Sequence, residues 1–447
     1  MIRALTALAL VCILARMILI SRAAPESSAK NITLELSVWG MPFENALYTD
    51  VYIPEFERQN PGIKVKFSHF EDYSNRILLS HAGGIAPDVI REGIDGGIAW
   101  INRGLNMPLD PYIDGPDGID RKDFIPSLWD PIAIRGKTYG VPQDINIQGL
   151  YYNRDLFDKA GITYPDETWT WQDLKSAAER LTEDKDKDGH AEVVGLDLAW
   201  GAGSFRPFLY QNGGHIWNED RTKTLIDSPE AIEALKFYKS LMQSYSLTRS
   251  GDSQRGGLGP DKFFEQGRIA MYIDGSWRTP SLQKNAPNLR FGVAPLPKGK
   301  QPMSVSGSCF WAMSSQTKHP EAAWKLIKFI SSKEALTRYW QMLWVAPPAR
   351  WSALRSPEFK DVTGIAGKIP GIRDAKEFEA KCAWIPKVLE NGWTTTEPAG
   401  PFVPELNLYF GQAVDQVLLE NADPATALKN AAKLTNQDIQ KAQRSGG

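Results

Sequence analysis

Two separated stretches hold the residues best suited to chemistry: Gly149 to Trp171, GLYYNRDLFDKAGITYPDETWTW, and Phe263 to Pro280, FFEQGRIAMYIDGSWRTP. Each reads as a short apolar strand broken by Gly, Asp and Trp, whose end delivers an aromatic ring to a polar cleft. An indole presents a broad apolar face and a single N–H, which suits stacking on the C–H face of a sugar ring while polar neighbours take the hydroxyls. The chain has fifteen tryptophans, most of which belong in a core. Trp277, at a strand end after Gly275, is the leading candidate for a ligand contact. Trp39 and Glu44 follow the apolar run Leu34 to Trp39 and share that logic. Asp88 sits at another strand end, with a helix cap as its competing role. Carboxylates at such places accept strongly from hydroxyls. Gly307 and Ser308 form a small-residue block that backbone and ligand can approach closely. Arg350, after Pro347-Pro348, is a candidate donor, although a surface arginine is the commoner outcome. Trp200, Trp344 and Trp393, in Gly-, Pro- or Thr-rich loops, are weaker candidates for an aromatic lining.

Elements that position these residues follow from pattern. Leu34 to Trp39 is a buried strand, and a helix from about Tyr48 to Arg58 stops at Asn60-Pro61-Gly62. Ile63 to Phe70 alternates apolar and polar residues, the period of a strand. Ala86 to Ile90 makes a third strand, so the start of the chain is a βαβ array with a mostly parallel sheet. Open sheets of this kind bind ligands beyond the carboxyl ends of their strands. Further helices open at Thr170 as N-cap, at Ser228-Pro229, at His319-Pro320 and at Asp423-Pro424. At 447 residues the chain exceeds one ordinary core, so two domains are expected. The absence of a linker implies that the chain crosses between them more than once.

Composition narrows the function. Hydrophobic residues make up 42% and charged residues 23%, with net charge −2, so no field exists to collect nucleic acid or anionic lipid. Arg3 precedes the apolar run Ala4 to Ala15, and Ser21-Arg22-Ala23 fits a cleavage site, which makes 1–23 an export signal. An uncleaved N-terminal anchor is the alternative. Cys309 and Cys382 then remain, and sequence cannot say whether they pair.

The ordered blocks Val38-Trp39-Gly40, Pro87-Asp88-Val89, Tyr139-Gly140-Val141-Pro142, Leu150 to Phe157, Thr168-Trp169, Phe264 to Met271, Gly275-Ser276-Trp277, Val293 to Pro297, Glu321 to Trp324 and Ala346 to Arg350 resemble the carbohydrate-binding subunits of bacterial ABC importers. These are extracellular solute-binding proteins related to maltose-binding protein. The resemblance implies an α/β fold of the periplasmic-binding-protein-like type II class, two lobes with a hinge and a ligand cleft between them. It places one lobe at 31–142 plus 304–336 and the other at 143–303 plus 337–447. Hinge crossings would then fall near Gln143 to Gln148, Ser304 to Cys309 and Thr337 to Val345. It implies that Trp277 stacks on a sugar ring and that Asp144 stands where relatives often hold a sugar-binding acid. A sugar or oligosaccharide, membrane permease subunits and a monomeric state are the implied partners and form. No cofactor and no catalytic residue are expected.

Rival readings remain open. A secreted carbohydrate-active enzyme needs two acids at fixed separation, and 53 acidic residues leave room for a pair. However, no Gly-x-Ser-x-Gly or His-Glu-x-x-His motif is present, and the five histidines are scattered. A polyol or an amine held by cation–π contact would suit the same fold, and a sensory role would keep the binding but change the receiver. Asp184-Lys-Asp186-Lys-Asp188-Gly189 has the start of a calcium loop, but its twelfth position is Gly195. It reads as an acidic turn.

Overall fold

A computed structural model of the chain describes residues 31–40, 42–185, 191–198, 202–245, 259–343, 346–360, 382–396 and 403–444. The expected export signal, Asp186, Asp188, Gly189, Trp200 and Trp344 lie outside the described residues.

The early apolar runs form parallel strands, as their spacing predicts. β1 (Ile32–Ser37) pairs in parallel with β2 (Ile63–Ser68) and with β3 (Val89–Gly93). In β2 Ile63 is buried while Lys64 and Lys66 are exposed, and lysines along an outer strand discourage pairing with another chain. Between β1 and β2 the backbone is helical over Pro42–Leu47, Tyr48–Tyr52 (a π turn) and Ile53–Gln59. It ends at Asn60-Pro61-Gly62, where Gly62 takes φ +94°, a conformation that glycine adopts without steric cost.

A small hairpin of β4 (Ala133–Ile134) and β5 (Lys137–Thr138) precedes β6 (Val141–Pro142). The remaining strands are β7 (Asn146–Asn153), β8 (Met271–Gly275), β9 (Phe291–Ala294), β10 (Ser304–Gly307), β11 (Cys309–Met313) and β12 (Thr394–Thr396). They complete two five-stranded sheets. The first has the order β2-β1-β3-β11-β6, and the second β12-β10-β7-β8 with β9 also on β7. Each sheet is the centre of one α/β lobe.

β7 is buried on both faces, and its period-two alternation assigns its side chains. Tyr151 meets Tyr272 and Phe291 on one face. On the other, Leu150 and Tyr152 join a core with Phe410, Val414 and Leu428 from the helices Val403–Leu419 and Pro424–Arg444. The helix Trp171–Leu181 begins as its sequence predicts, with Thr170 and Asp173 forming a reciprocal capping box. The helices Pro229–Tyr245, Pro320–Ile330 and Pro424–Arg444 also start at the expected prolines.

The chain passes from the first sheet to the second between β6 and β7, back through Ser308 between β10 and β11, and to the second sheet again between β11 and β12. Two details differ from the boundaries expected from sequence. Ser304–Gly307 belongs to the second sheet, because Ser306 and Gly307 pair with Ile147 and Asn146 of β7. The helix Lys333–Leu343 stays with the first lobe: the Tyr52 hydroxyl donates to the Ala335 carbonyl and the Tyr339 hydroxyl to Glu44. The reason is its apolar stripe, in which Ala335, Leu336, Tyr339, Trp340 and Leu343 are all buried. Cys309 is buried and Cys382 half-buried. Among the described residues no helix is long and apolar enough to cross a membrane.

Candidate ligand cleft

Strand ends from both sheets converge on one cleft of about 1230 Å³. From the first lobe come Trp39 beyond β1 and Arg91, Glu92 and Gly93 at the end of β3. Asp144 and Ser308 come from the passages between lobes, Asn146, Gln148 and Gly307 from the ends of β7 and β10 beside them, and Trp277 and Arg278 from beyond β8. Trp39 and Trp277 are 38% and 39% exposed, high values for so apolar a ring.

Local sequence explains how each ring is presented. Gly275 closes β8, and a Cβ built there would stand 1.9 Å from the Trp277 ring. Only glycine leaves room for the indole to fold back over the strand. Trp39 rests on the Arg91 guanidinium, 4.8 Å from the ring centre, a cation–π contact. Trp100 and Tyr73 add a second aromatic layer to the wall, 6.5 Å apart and stacked. The Tyr73 hydroxyl donates to the carbonyls of Ser37 and Arg91, which fixes that ring across the ends of β1 and β3.

The base of the cleft is a buried ionic cluster. Arg91 Nη1 donates to Glu44 Oε1 at 3.1 Å and to the Trp39 carbonyl at 2.9 Å. Its Nη2 donates to the Tyr339 hydroxyl at 2.9 Å and lies 3.6 Å from Asp144 Oδ2. Asp144 Oδ1 accepts the Cys309 N–H at 2.8 Å, and the Ser308 hydroxyl donates to the Asp144 carbonyl. Burial pushes the Asp144 carboxyl up to about 6, against the opposing pull of Arg91 and of the Cys309 N–H. Glu92, next to Arg91 along β3 and buried with one hydrogen bond from Asn106 Nδ2, is pushed up to about 8 by burial. It is therefore a neutral acid at pH 7.

Cations on the second-lobe wall are also paired. Arg278 contacts Asp274 at 2.8 Å and Asp261 at 3.1 Å, and Lys262 reaches Glu265 at 3.0 Å. No ligating cluster of three or more His, Cys, Asp or Glu occurs among the described residues. Glu192, from the acidic turn, accepts the Lys185 N–H instead.

Of the residues singled out in the sequence, Trp39, Glu44, Asp144, Trp277, Gly307 and Ser308 meet in this cleft. Asp88 and Arg350 do not. Asp88 precedes β3, at the end of the strand away from the cleft, and its carboxylate accepts from the Glu35 N–H and the Thr317 hydroxyl. Arg350 faces inward within the first lobe, over the Phe124 ring at 4.2 Å and bonded to Asp123 and the Ser331 carbonyl. The Gly149–Trp171 stretch likewise sends its rings elsewhere. Trp171 stacks on Phe237 at 4.5 Å and Trp169 packs near Phe157. Trp393 is half-buried against the core. Reasoning from sequence missed Arg91 and Glu92. The signal was present, since a charged pair at the carboxyl end of an apolar strand is where an open sheet places polar groups for a ligand.

Comparison with known proteins agrees with this geometry. Residues 44–337 match the model of the bacterial extracellular solute-binding protein family. A putative binding protein of Brucella abortus is 28% identical over 292 residues, covering 64% of this chain and 69% of its own. The maltotriose-binding protein of Pyrococcus abyssi is 25% identical over 324 residues, covering 70% and 66%. Among solved structures, an ABC substrate-binding protein of Listeria monocytogenes in complex with cycloalternan superposes with a TM-score of 0.76 at 26% identity. That superposition spans 92% of this chain and 99% of the other. Two sheets, repeated passages between them and a ring-lined cleft at their strand ends thus accompany a family match over most of the chain, which belongs to the bacterial extracellular solute-binding proteins.

Proposed function

We propose that the protein captures an oligosaccharide of uncharged sugars between its lobes and delivers it, unaltered, to a membrane permease of the ABC type. The observation that carries this reading is the pair Trp39 and Trp277, brought from different lobes to one cleft and each more than a third exposed. Two indoles on opposite walls suit a pyranose with two apolar faces. The paired state of Arg91, Arg278 and Lys262 supports an uncharged ligand, because each Lys and Arg among the described lining residues already meets a carboxylate. A cleft of about 1230 Å³ exceeds the usual ~300–1,000 Å³ of small-molecule sites, which favours several sugar units over one. Closure of the lobes on the ligand is the hinge motion of periplasmic binding proteins, and it would let a permease distinguish loaded from empty protein. We read the protein as exported, through the signal at 1–23, and as having no catalysis of its own.

An amine is the second reading, favoured by Glu71 and Asp72 on the cleft wall. A thermal-shift screen over mono- and oligosaccharides, polyols, amines and sugar acids tests both. The oligosaccharide reading expects stabilisation by neutral glycans without release of smaller sugars. Stabilisation by amines alone, or turnover of a glycan, would sink it.

A further inference from the structure

Arg91 is unusual for a cleft residue because all its interactions run inward. Its side chain is 2% exposed, yet it underlies Trp39, a ring 38% exposed. The guanidinium fork is shared out among the Trp39 carbonyl, Glu44 and Tyr339 by hydrogen bonds, with Asp144 within ion-pair range. The same group sits over the Trp39 indole, 4.8 Å from the ring centre. One side chain therefore holds Trp39 twice, by its backbone and by its ring. A ring so seated has one face covered, which leaves the other to the cleft. The remaining partner, Asp144, belongs to the segment joining β6 to β7 and accepts the N–H of Cys309 in the returning passage. Two of the connections between the lobes thus meet at the carboxylate that faces Arg91.

We propose that Arg91 is a positioning residue that sets the orientation of Trp39 and links it, through Asp144, to the passage between the lobes. The role of Trp39 as a ligand contact rests on the function proposed above, whereas its orientation is measurable without any ligand.

The test is fluorine NMR on the full mature chain labelled with fluorotryptophan, with Trp39→Phe and Trp277→Phe used to assign the two cleft signals. In ligand-free protein, Arg91→Lys, Tyr339→Phe and Asp144→Asn should each move the Trp39 signal by more than its linewidth and leave that of Trp277 in place. Asp144→Asn is the informative arm for the link, because it alters a group that reaches Trp39 through its ion pair with Arg91. A Trp39 signal unmoved in Arg91→Lys overturns the positioning role, and one unmoved in Asp144→Asn overturns the link. Equal displacement of both signals also overturns the proposal, since it would report general loosening. If Arg91→Lys does not fold, Tyr339→Phe, which removes a single hydroxyl, decides the positioning role by the same signal. Adding maltotriose and a panel of other glycans to the labelled parent tests the functional reading separately. No movement of the Trp277 signal with any glycan would count against that reading and not against the role of Arg91.

Discussion

The indole of Trp277 lies over Gly275, so close that a methyl group on that glycine would stand 1.9 Å from the ring. The glycine and the tryptophan are one device, the first making space for the second at the mouth of the cleft. Trp277→Ala should weaken oligosaccharide binding by at least about 30-fold, in line with the roughly 2 kcal/mol or more expected of a central aromatic contact. Its ring is 39% exposed, so the melting temperature should hardly change. Gly275→Ala should also weaken binding by displacing the ring. Titration calorimetry beside thermal melts checks both, and unchanged affinity in Trp277→Ala would remove it from the site.

At Gly307 the space a side chain would take is empty within 4 Å, and that space is the cleft. Gly307→Val is expected to fold normally and to bind at least tenfold more weakly, because the isopropyl group occupies volume meant for ligand. Parent-like affinity with parent-like melting would place the ligand elsewhere in the cleft.

Glu92 makes stability depend on pH. Its carboxyl is pushed up from 4.5 to about 8 by burial, with the Asn106 bond opposing. The folded state therefore holds a proton that the unfolded chain releases near 4.5. This contribution is complete below that pH and is lost as pH rises through about 8. Glu92→Gln, which cannot ionise, should flatten the fall in melting temperature between about pH 5 and 8 and raise it by several degrees at the alkaline end. Parallel curves for parent and variant would disprove this.

For Asp88 the expectation is a purely structural effect. Asp88→Ala removes the acceptor of the Glu35 N–H and the Thr317 hydroxyl, which should cost about 1–3 kcal/mol of stability with affinity unaffected. Denaturant unfolding and calorimetry on the same sample separate the two quantities.

Asp88 also shows where sequence was legible and where it was not. Strand periodicity, proline helix starts and the Thr170 cap lie within a few residues of one another, so local rules located β1, β2, β3 and the main helices. Trp39, Glu44 and Trp277 were legible because they follow an apolar strand directly. Direction was the difficulty for Asp88: proximity to β3 was evident, but it flanks the wrong end. Arg350 and Trp171 failed for another reason, since their partners Asp123 and Phe237 are distant in sequence. Arg91 itself could be read as a charge at a strand end, but its partners were hidden for the same cause, being drawn from residues 39, 44, 144 and 339. Only packing of five separate segments makes a buried arginine tolerable there.

A single residue, Ser308, separates a strand of one sheet from a strand of the other, which restricts how the halves can part. Neighbouring strands joined so tightly cannot slide or pull apart. They can only swivel about their junction, like the blades of shears about a rivet. The base of the gap then stays nearly fixed in width whatever the angle, while the outer edges sweep the largest arc. Groups near the rivet would grip a guest early and almost identically in every posture, and those at the tips would decide whether it can leave.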